Sequence, residues 1–183
     1  FEETLQHMCR LLQIKPTVVV HDLHPDYFTT KYAMKMGLRR IAVQHHHAHI
    51  LSCLAENNHD APVIGVAYDG VGYGEDGTIW GAEVLYVEGC RYRRVGTWRR
   101  VLLAGGEAAI RQPWRTAVAV LYDIFGGRMH DANIPLFDMV KPQHVEMVVS
   151  MLQSRVAVVE ATSMGRLFDA VAALTGLCFV STY

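Results

Sequence analysis

Three short apolar runs, separated by segments whose apolar residues recur at helical spacing, constrain the fold of this chain more than any other feature. Residues 17–21, 40–43 and 63–68 read as buried strands, each bounded by turn or capping residues. Ahead of the first, Leu5, Met8, Leu11 and Leu12 follow a helical spacing that Pro16 closes. Between the first and second, Asp22-Leu23-His24-Pro25-Asp26-Tyr27 is turn chemistry, because Pro25 pushes His24 out of the helical region; a helix over residues 27–36 then stops at Gly37. A second helix opens with a histidine run and continues through Ile50, Leu51 and Leu54 to Asn57. Residues 79–87 and 92–103 alternate around Gly89 as a long hairpin. Strand and helix twice over, followed by antiparallel strands, predict a mixed α/β sheet rather than a purely parallel one.

Beyond Gly105-Gly106 the pattern turns helical. Residues 107–125 place Ala109, Ile110, Trp114, Ala117, Val118 and Leu121 on one broad face, and Pro113 either kinks that helix or starts a second one. Further helices are predicted over 145–152 and 163–174, the latter with Ser163 as N-cap. Gly105-Gly106-Glu107 and Pro113-Trp114-Arg115 read as a turn into a packed helix. No repeat, low-complexity tract or domain boundary interrupts the chain.

With 51% apolar residues among 183, the chain has material for one sizeable core or a large part of a bigger one. A formal net charge of −1 supplies no global field for a polyanion. The best local patch is Arg91, Arg93, Arg94, Arg99 and Arg100 with Tyr92 and Trp98 between them, and the same alternation describes the wet face of a two-stranded ribbon, which is the favoured reading. Four widely spaced cysteines, with no C-x-x-C pair and no secretory signal, point to a reduced, cytosolic protein. No apolar run approaches the ~20 residues of a membrane helix.

The run Gln44-His45-His46-His47-Ala48-His49 carries the chemistry. Helical residues are set about 100° apart, so His45 and His49 lie about 40° apart and one turn from each other. His46 with His49 is a second pair that spacing alone permits, whereas His47 points away from either. Asp69, at the end of the next strand, would complete a two-histidine, one-carboxylate set of the kind that holds zinc or non-haem iron. The plainer alternative is that the run caps a strand and opens a helix, with one histidine hydrogen-bonded in the core. The zinc-peptidase motif H-E-x-x-H is a poor match, since position 46 is His.

Asp69-Gly70-Val71-Gly72-Tyr73-Gly74 has glycines at alternate positions after an apolar strand, which lets backbone amides approach an anion. It is neither a P-loop nor a dinucleotide turn, because strand pattern rather than Gly-Lys-Ser/Thr or a helix follows. An ordinary hairpin with Glu75-Asp76-Gly77 at its tip fits equally well. Asp169 interrupts an apolar helical pattern, and a carboxylate there either pairs with Arg166 or accepts hydrogen bonds from a polyol such as ribose.

Several of these segments, with Val20-His21-Asp22-Leu23-His24-Pro25, Trp80-Gly81-Ala82-Glu83, Leu103-Ala104-Gly105-Gly106, Gln112-Pro113-Trp114-Arg115 and Ser163-Met164-Gly165-Arg166-Leu167-Phe168-Asp169-Ala170, together resemble the HypF-type carbamoyltransferases of nickel–iron hydrogenase maturation. The match runs in order over essentially the whole chain. The resemblance implies that residues 1–183 are part of one Kae1/TsaD-like domain, with the ribonuclease H-like mixed sheet and flanking helices of the actin, Hsp70 and sugar-kinase superfamily. It implies a domain incomplete at both ends, which continues past Tyr183 to a further aspartate ligand, and a longer protein with acylphosphatase-like, zinc-finger-like and YrdC-like domains.

Carried over by position, the resemblance places the metal ligands at His45, His49 and Asp69, for one zinc or iron ion. It places phosphate contacts on the backbone of Gly70, Val71, Gly72, Tyr73 and Gly74 and, by analogy with the related tRNA-modification proteins, the nucleotide ribose on Asp169. Those proteins carry H-x-E-G-H where this chain has His47, and Ser-Gly-Gly where it has Asp69-Gly70-Val71. The implied reaction uses ATP and carbamoyl phosphate to make carbamoyl adenylate, and passes the carbamoyl group to the C-terminal cysteine of HypE; nucleic acid and membrane are not among the implied partners. O-carbamoylation of a sugar hydroxyl is the alternative acceptor chemistry. For these residues alone, the implied role is metal and nucleotide binding and HypE docking without turnover.

Overall fold

A computed structural model describes residues 1–182. Val18–Asp22 (β1) and Arg39–Val43 (β2) pair in parallel, from Val18 opposite Arg39 to Asp22 opposite Val43. Parallel neighbours need a crossover, and α2 (Phe28–Lys35) supplies it, with Thr30 and Ala33 buried; α1 (Glu2–Leu11) precedes this small sheet and buries none of its residues.

The chain leaves β2 through Gln44, whose side-chain oxygen accepts the His47 N–H at 2.9 Å and caps α3 (His45–Glu56). Helix α3 lies on a second sheet and buries Ile50 against Ala67, Trp80, Leu85 and Val87. At Gly65 a Cβ would sit 2.4 Å from the Ile50 side chain, so the missing side chain is what lets the helix seat. That sheet comprises β3 (Val63–Tyr73), β4 (Ile79–Glu88), β5 (Arg91–Thr97), β6 (Val101–Ala104) and β7 (Val158–Ala161), in the order β3-β4-β7-β6 with β5 also on β4. Ile64, Val66 and Tyr68 form an exposed stripe on β3.

A helical layer covers the β6–β7 end: α4 (Glu107–Arg111), α5 (Pro113–Phe125), a 3₁₀ turn at Gly126–Asp131, α6 (Pro135–Met139), α7 (Pro142–Ser154) and α8 (Met164–Leu174). Its core is built on Val118, Leu121, Met129, Leu136, Val148 and Leu152. None of the described helices is long and apolar enough to cross a membrane.

The structure departs from the sequence reading at three places. The third strand does not end at Tyr68 but runs to Tyr73, with a register shift against β4 between Tyr68 and Gly72. The expected strand over 92–103 is two, because the chain leaves β4 after Thr97 and β6 pairs with β7 instead. Of the two roles expected for Pro113 the structure takes the second, since it stands in the first turn of α5, where its missing N–H costs nothing. Finally, β7, α6 and the 3₁₀ turn have no counterpart in the sequence reading; each is only four to six residues long, too short to show a period.

Candidate metal centre

The end of β2, the first turn of α3 and the irregular stretch of β3 meet at one point. His45 Nε2 lies 3.2 Å from His49 Nε2, Asp69 Oδ2 lies 2.9 Å from His45 Nε2 and 3.8 Å from His49 Nε2, and these three side chains are the group whose ligand atoms converge. Helical spacing explains the two imidazoles, while Asp69 reaches them because the register shift after Tyr68 turns it out of the regular ladder.

These atoms fit a metal ion on their own geometry. On its other face, His45 Nδ1 is 2.7 Å from Asp22 Oδ2. An ionised carboxylate only accepts, so in the neutral imidazole the hydrogen sits on Nδ1 and Nε2 presents a lone pair. That lone pair then faces Asp69 Oδ2, which is buried and receives no hydrogen bond. A hydrogen on His49 Nε2 would serve the His45 contact and leave Asp69 Oδ2 unserved; one cation serves all three. Tetrahedral ligand atoms ~2.0–2.1 Å from zinc are about 3.3 Å apart, and the three observed separations of 2.9, 3.2 and 3.8 Å straddle that. Asp22 is the residue that sequence reasoning missed. Its only signal was position, at the carboxyl end of a strand, where open α/β sheets collect their functional groups.

The other two histidines lie elsewhere. His46 is fully buried beneath Gly72, and its Nδ1 accepts from Gln44 Nε2 at 3.1 Å, an amide orientation set by the His47 N–H on Gln44 Oε1. Burial lowers its pKa to about 4, so it is a neutral core imidazole. His47 packs on Tyr92 with ring centroids 4.6 Å apart, and burial likewise lowers its pKa.

Beside these three side chains, the glycine-rich segment rests on the N-terminus of α8. Ser163 Oγ donates to Gly70 O at 2.6 Å and accepts the Arg166 N–H at 3.1 Å. A Cβ on Gly165 would lie 2.8 Å from Gly70 Cα, so helix and bulge touch backbone to backbone. Within the segment the Gly70 N–H donates to Asp69 Oδ1, the Gly74 N–H donates to Thr78 O, and Gly72 and Tyr73 face Trp80 and Ile79 across the ladder. Glu75-Asp76-Gly77 forms the hairpin tip, with Gly77 at φ 74°. The Arg166 guanidinium lies next to Gly70 and 2.8 Å from Asp169 Oδ2. Burial raises the Asp169 pKa, and Arg166 partly offsets this. Tyr27, whose phenol burial and then the charges of Asp22 and Asp69 push upward, stacks on His24 with centroids 4.2 Å apart at the rim.

Behind the bulge, Glu83 is fully buried, and its carboxylate accepts from Thr162 Oγ1 and Arg94 Nε and from the amides of Gly81 and Ala82. Burial alone would raise its pKa, but the Thr162, Arg94 and Gly81 hydrogen bonds hold it below the usual range. Arg94 also covers the Trp80 ring at 4.0 Å. Of the arginine patch, Arg94, Arg99 and Arg100 are committed to Glu83, Asp123 and Glu160.

Two family models cover the chain: the HypF Kae1-like domain over residues 1–56, and the second subdomain of the carbamoyltransferase Kae1-like domain over residues 65–183. Among curated proteins, carbamoyltransferase HypF2 of Cupriavidus necator is 44% identical over 178 residues, which cover 95% of this chain and 21% of that protein. Carbamoyltransferase HypF of Rhizobium leguminosarum bv. viciae is 37% identical over 99% of this chain and 23% of its own length. The chain thus spans less than a quarter of either relative. A crystal structure of full-length HypF in its phosphate- and nucleotide-bound form superposes with a TM-score of 0.90 at 38% identity, over 99% of this chain and 28% of that one. T. kodakarensis HypF superposes at 0.86 with 33% identity, over 100% and 25%. At that similarity the mixed sheet with flanking helices is the Kae1-like fold.

Proposed function

Since this chain belongs to the HypF carbamoyltransferase family, we propose that it forms the metal-binding wall of a site at which a carbamoyl group passes from carbamoyl adenylate to the C-terminal cysteine thiol of HypE. The observation that carries this is the convergence of His45, His49 and Asp69 beside a glycine bulge braced by α8. A zinc or iron ion bound there supplies Lewis-acid polarisation of a carbamoyl or phosphoryl oxygen.

The protein groups hold and orient. His45 and His49 present ring nitrogens from one helix face, and Asp69 adds the charge that makes the set selective for a cation. Asp69 lies in the same bulge as Gly70, so the ligand set and the proposed phosphate position around residues 70–74 are rigidly coupled. The guanidinium of Arg166 adds positive charge for the adenylate phosphate, and Asp169, which it partners, would receive the ribose hydroxyls. In the transfer, sulfur forms a bond to the carbamoyl carbon, the bond from that carbon to the phosphate oxygen breaks, and AMP departs with the electron pair; the thiol has already lost its proton. His49 is more than half exposed and rims a groove of about 450 Å³, which leaves the acceptor an open approach.

The test is to incubate the full-length protein that carries this chain with carbamoyl phosphate, ATP and HypE. One carbamoyl mass on the C-terminal cysteine is expected, and its absence overturns the transfer reading. Metal analysis of His49→Ala tests the ligand set separately: retention of the full wild-type metal content would refute it.

A further inference from the structure

Asp22 is held at both ends of its carboxylate. Its Oδ1 accepts the His24 N–H at 2.7 Å, which closes the turn that Pro25 imposes, and its Oδ2 meets His45 Nδ1 at 2.7 Å. The backbone carbonyl of the same residue accepts from Thr30 Oγ1 at 3.2 Å, tying the end of β1 to the crossover helix α2. The side chain is 16% exposed, so little water competes for it. His49, by contrast, is 57% exposed and has no hydrogen-bond partner among the described residues besides His45. One imidazole of the pair is therefore fixed in rotation and in tautomer, and the other is free to adjust.

Resting on the metal reading above, we propose that Asp22 is a positioning residue that locks His45 in its Nδ1–H form, delivers Nε2 as a ready donor, and thereby sets how tightly the centre holds its ion. This gives a purpose to the turn Asp22-Leu23-His24-Pro25, which neither the core nor the ligand set uses, because it aims one carboxylate at the back of one ligand. Such partners behind ligating histidines change metal affinity about 10- to 100-fold when removed.

Asp22→Asn is the informative change, because the two oxygens are not equivalent. The His24 N–H requires an acceptor at the Oδ1 position, so the amide NH₂ turns toward His45 Nδ1, donates to it, and forces the hydrogen onto Nε2, where it blocks the ion. Zinc(II) affinity of the 183-residue chain, measured by chelator competition, should fall about 10- to 100-fold. ¹⁵N-detected imidazole correlations on the metal-free chain should show Nδ1–H at His45 in the wild type and Nε2–H in Asp22→Asn. A residue that merely ties β1 to α3 would not move that tautomer signature. Should Asp22→Asn fail to fold, the wild-type spectrum still decides, since Nε2–H at His45 there overturns the proposal. His49→Ala run in parallel separates the two readings. Wild-type zinc affinity in His49→Ala sinks the metal site itself, whereas loss there with undiminished affinity in folded Asp22→Asn sinks only the role of Asp22.

Discussion

Replacing Gly72 with alanine should damage the fold and the centre together. Gly72 faces Trp80 across the ladder, and a Cβ on it would lie 2.3 Å from His46 Cε1, 3.0 Å from His46 Nδ1 and 3.1 Å from His45 Cδ2. Carbon atoms rest ~3.5 Å or more apart, so the His46 ring must withdraw by about 1 Å. It has nowhere to go: it is fully buried, Gln44 holds its Nδ1 at 3.1 Å, and Trp80 lies 6.2 Å away, centroid to centroid. Overpacking a core position costs about 1–3 kcal/mol. For a domain of this size, ~2 kcal/mol lowers Tm by about 5 °C. The matched control is Gly127→Ala, where the new methyl would meet nothing within 4 Å and stability should stay within about 0.5 kcal/mol. Differential scanning calorimetry of both variants, with zinc titration of Gly72→Ala to read the disturbance at His45, provides the assay. A Gly72→Ala protein melting within about 1 °C of wild type would refute the placement of His46 under the bulge.

Stability should fall on acidification. His46 binds its proton more weakly folded (pKa about 4) than unfolded (6.5), so the unfolded chain takes up the extra proton as pH drops from about 6.5 to about 4. The stability, whole above that window, is reduced by about 3 kcal/mol below it; urea titrations at pH 7 and 4.5 check the direction, and a direct His46 titration near 6.5 would overturn it. Glu83→Ala strands Arg94 and the Gly81 and Ala82 amides, and since Arg94 is 22% exposed a loss near the lower end of the buried-pair range, about 3 kcal/mol, is expected. A loss in urea below ~1 kcal/mol would mean that the network is replaceable. Cys53 and Cys90 are exposed and Cys9 and Cys178 half-buried, so thiol labelling of the native chain should resolve two fast and two slower cysteines; four equal rates would contradict the packing.

Local chemistry was legible in the sequence, down to most element boundaries. The 3.6-residue period set His45 and His49 on one face, Ser163 capped α8 as its type and position implied, and Pro113 opened α5, one of the two roles that proline chemistry allows. Each follows from residues within a turn or two of each other. Spacing left the choice between His45 and His46 open, because both lie close enough to His49 along the helix. In the structure packing separates the two: His46 is taken into the core by Gly72 and Gln44, while His45 faces Asp69.

The remaining features depend on groups far apart in the chain. Asp22 is 23 residues from His45, Thr162 is 79 from Glu83, and Ser163 is 93 from Gly70. No periodicity links such pairs; they meet because β1 and β2 share a parallel register, because β7 pairs with β4 at Ala161 and Ile79, and because a shift between Tyr68 and Gly72 turns Asp69 toward α3. The sequence by itself determined which side chains could donate to a metal and on which helix face, since covalent connectivity and the helical period act over a few residues. Tertiary structure alone decided which carboxylates reach them, since strand pairing and bulges, not chain proximity, bring Asp22 and Asp69 to opposite sides of the same imidazole.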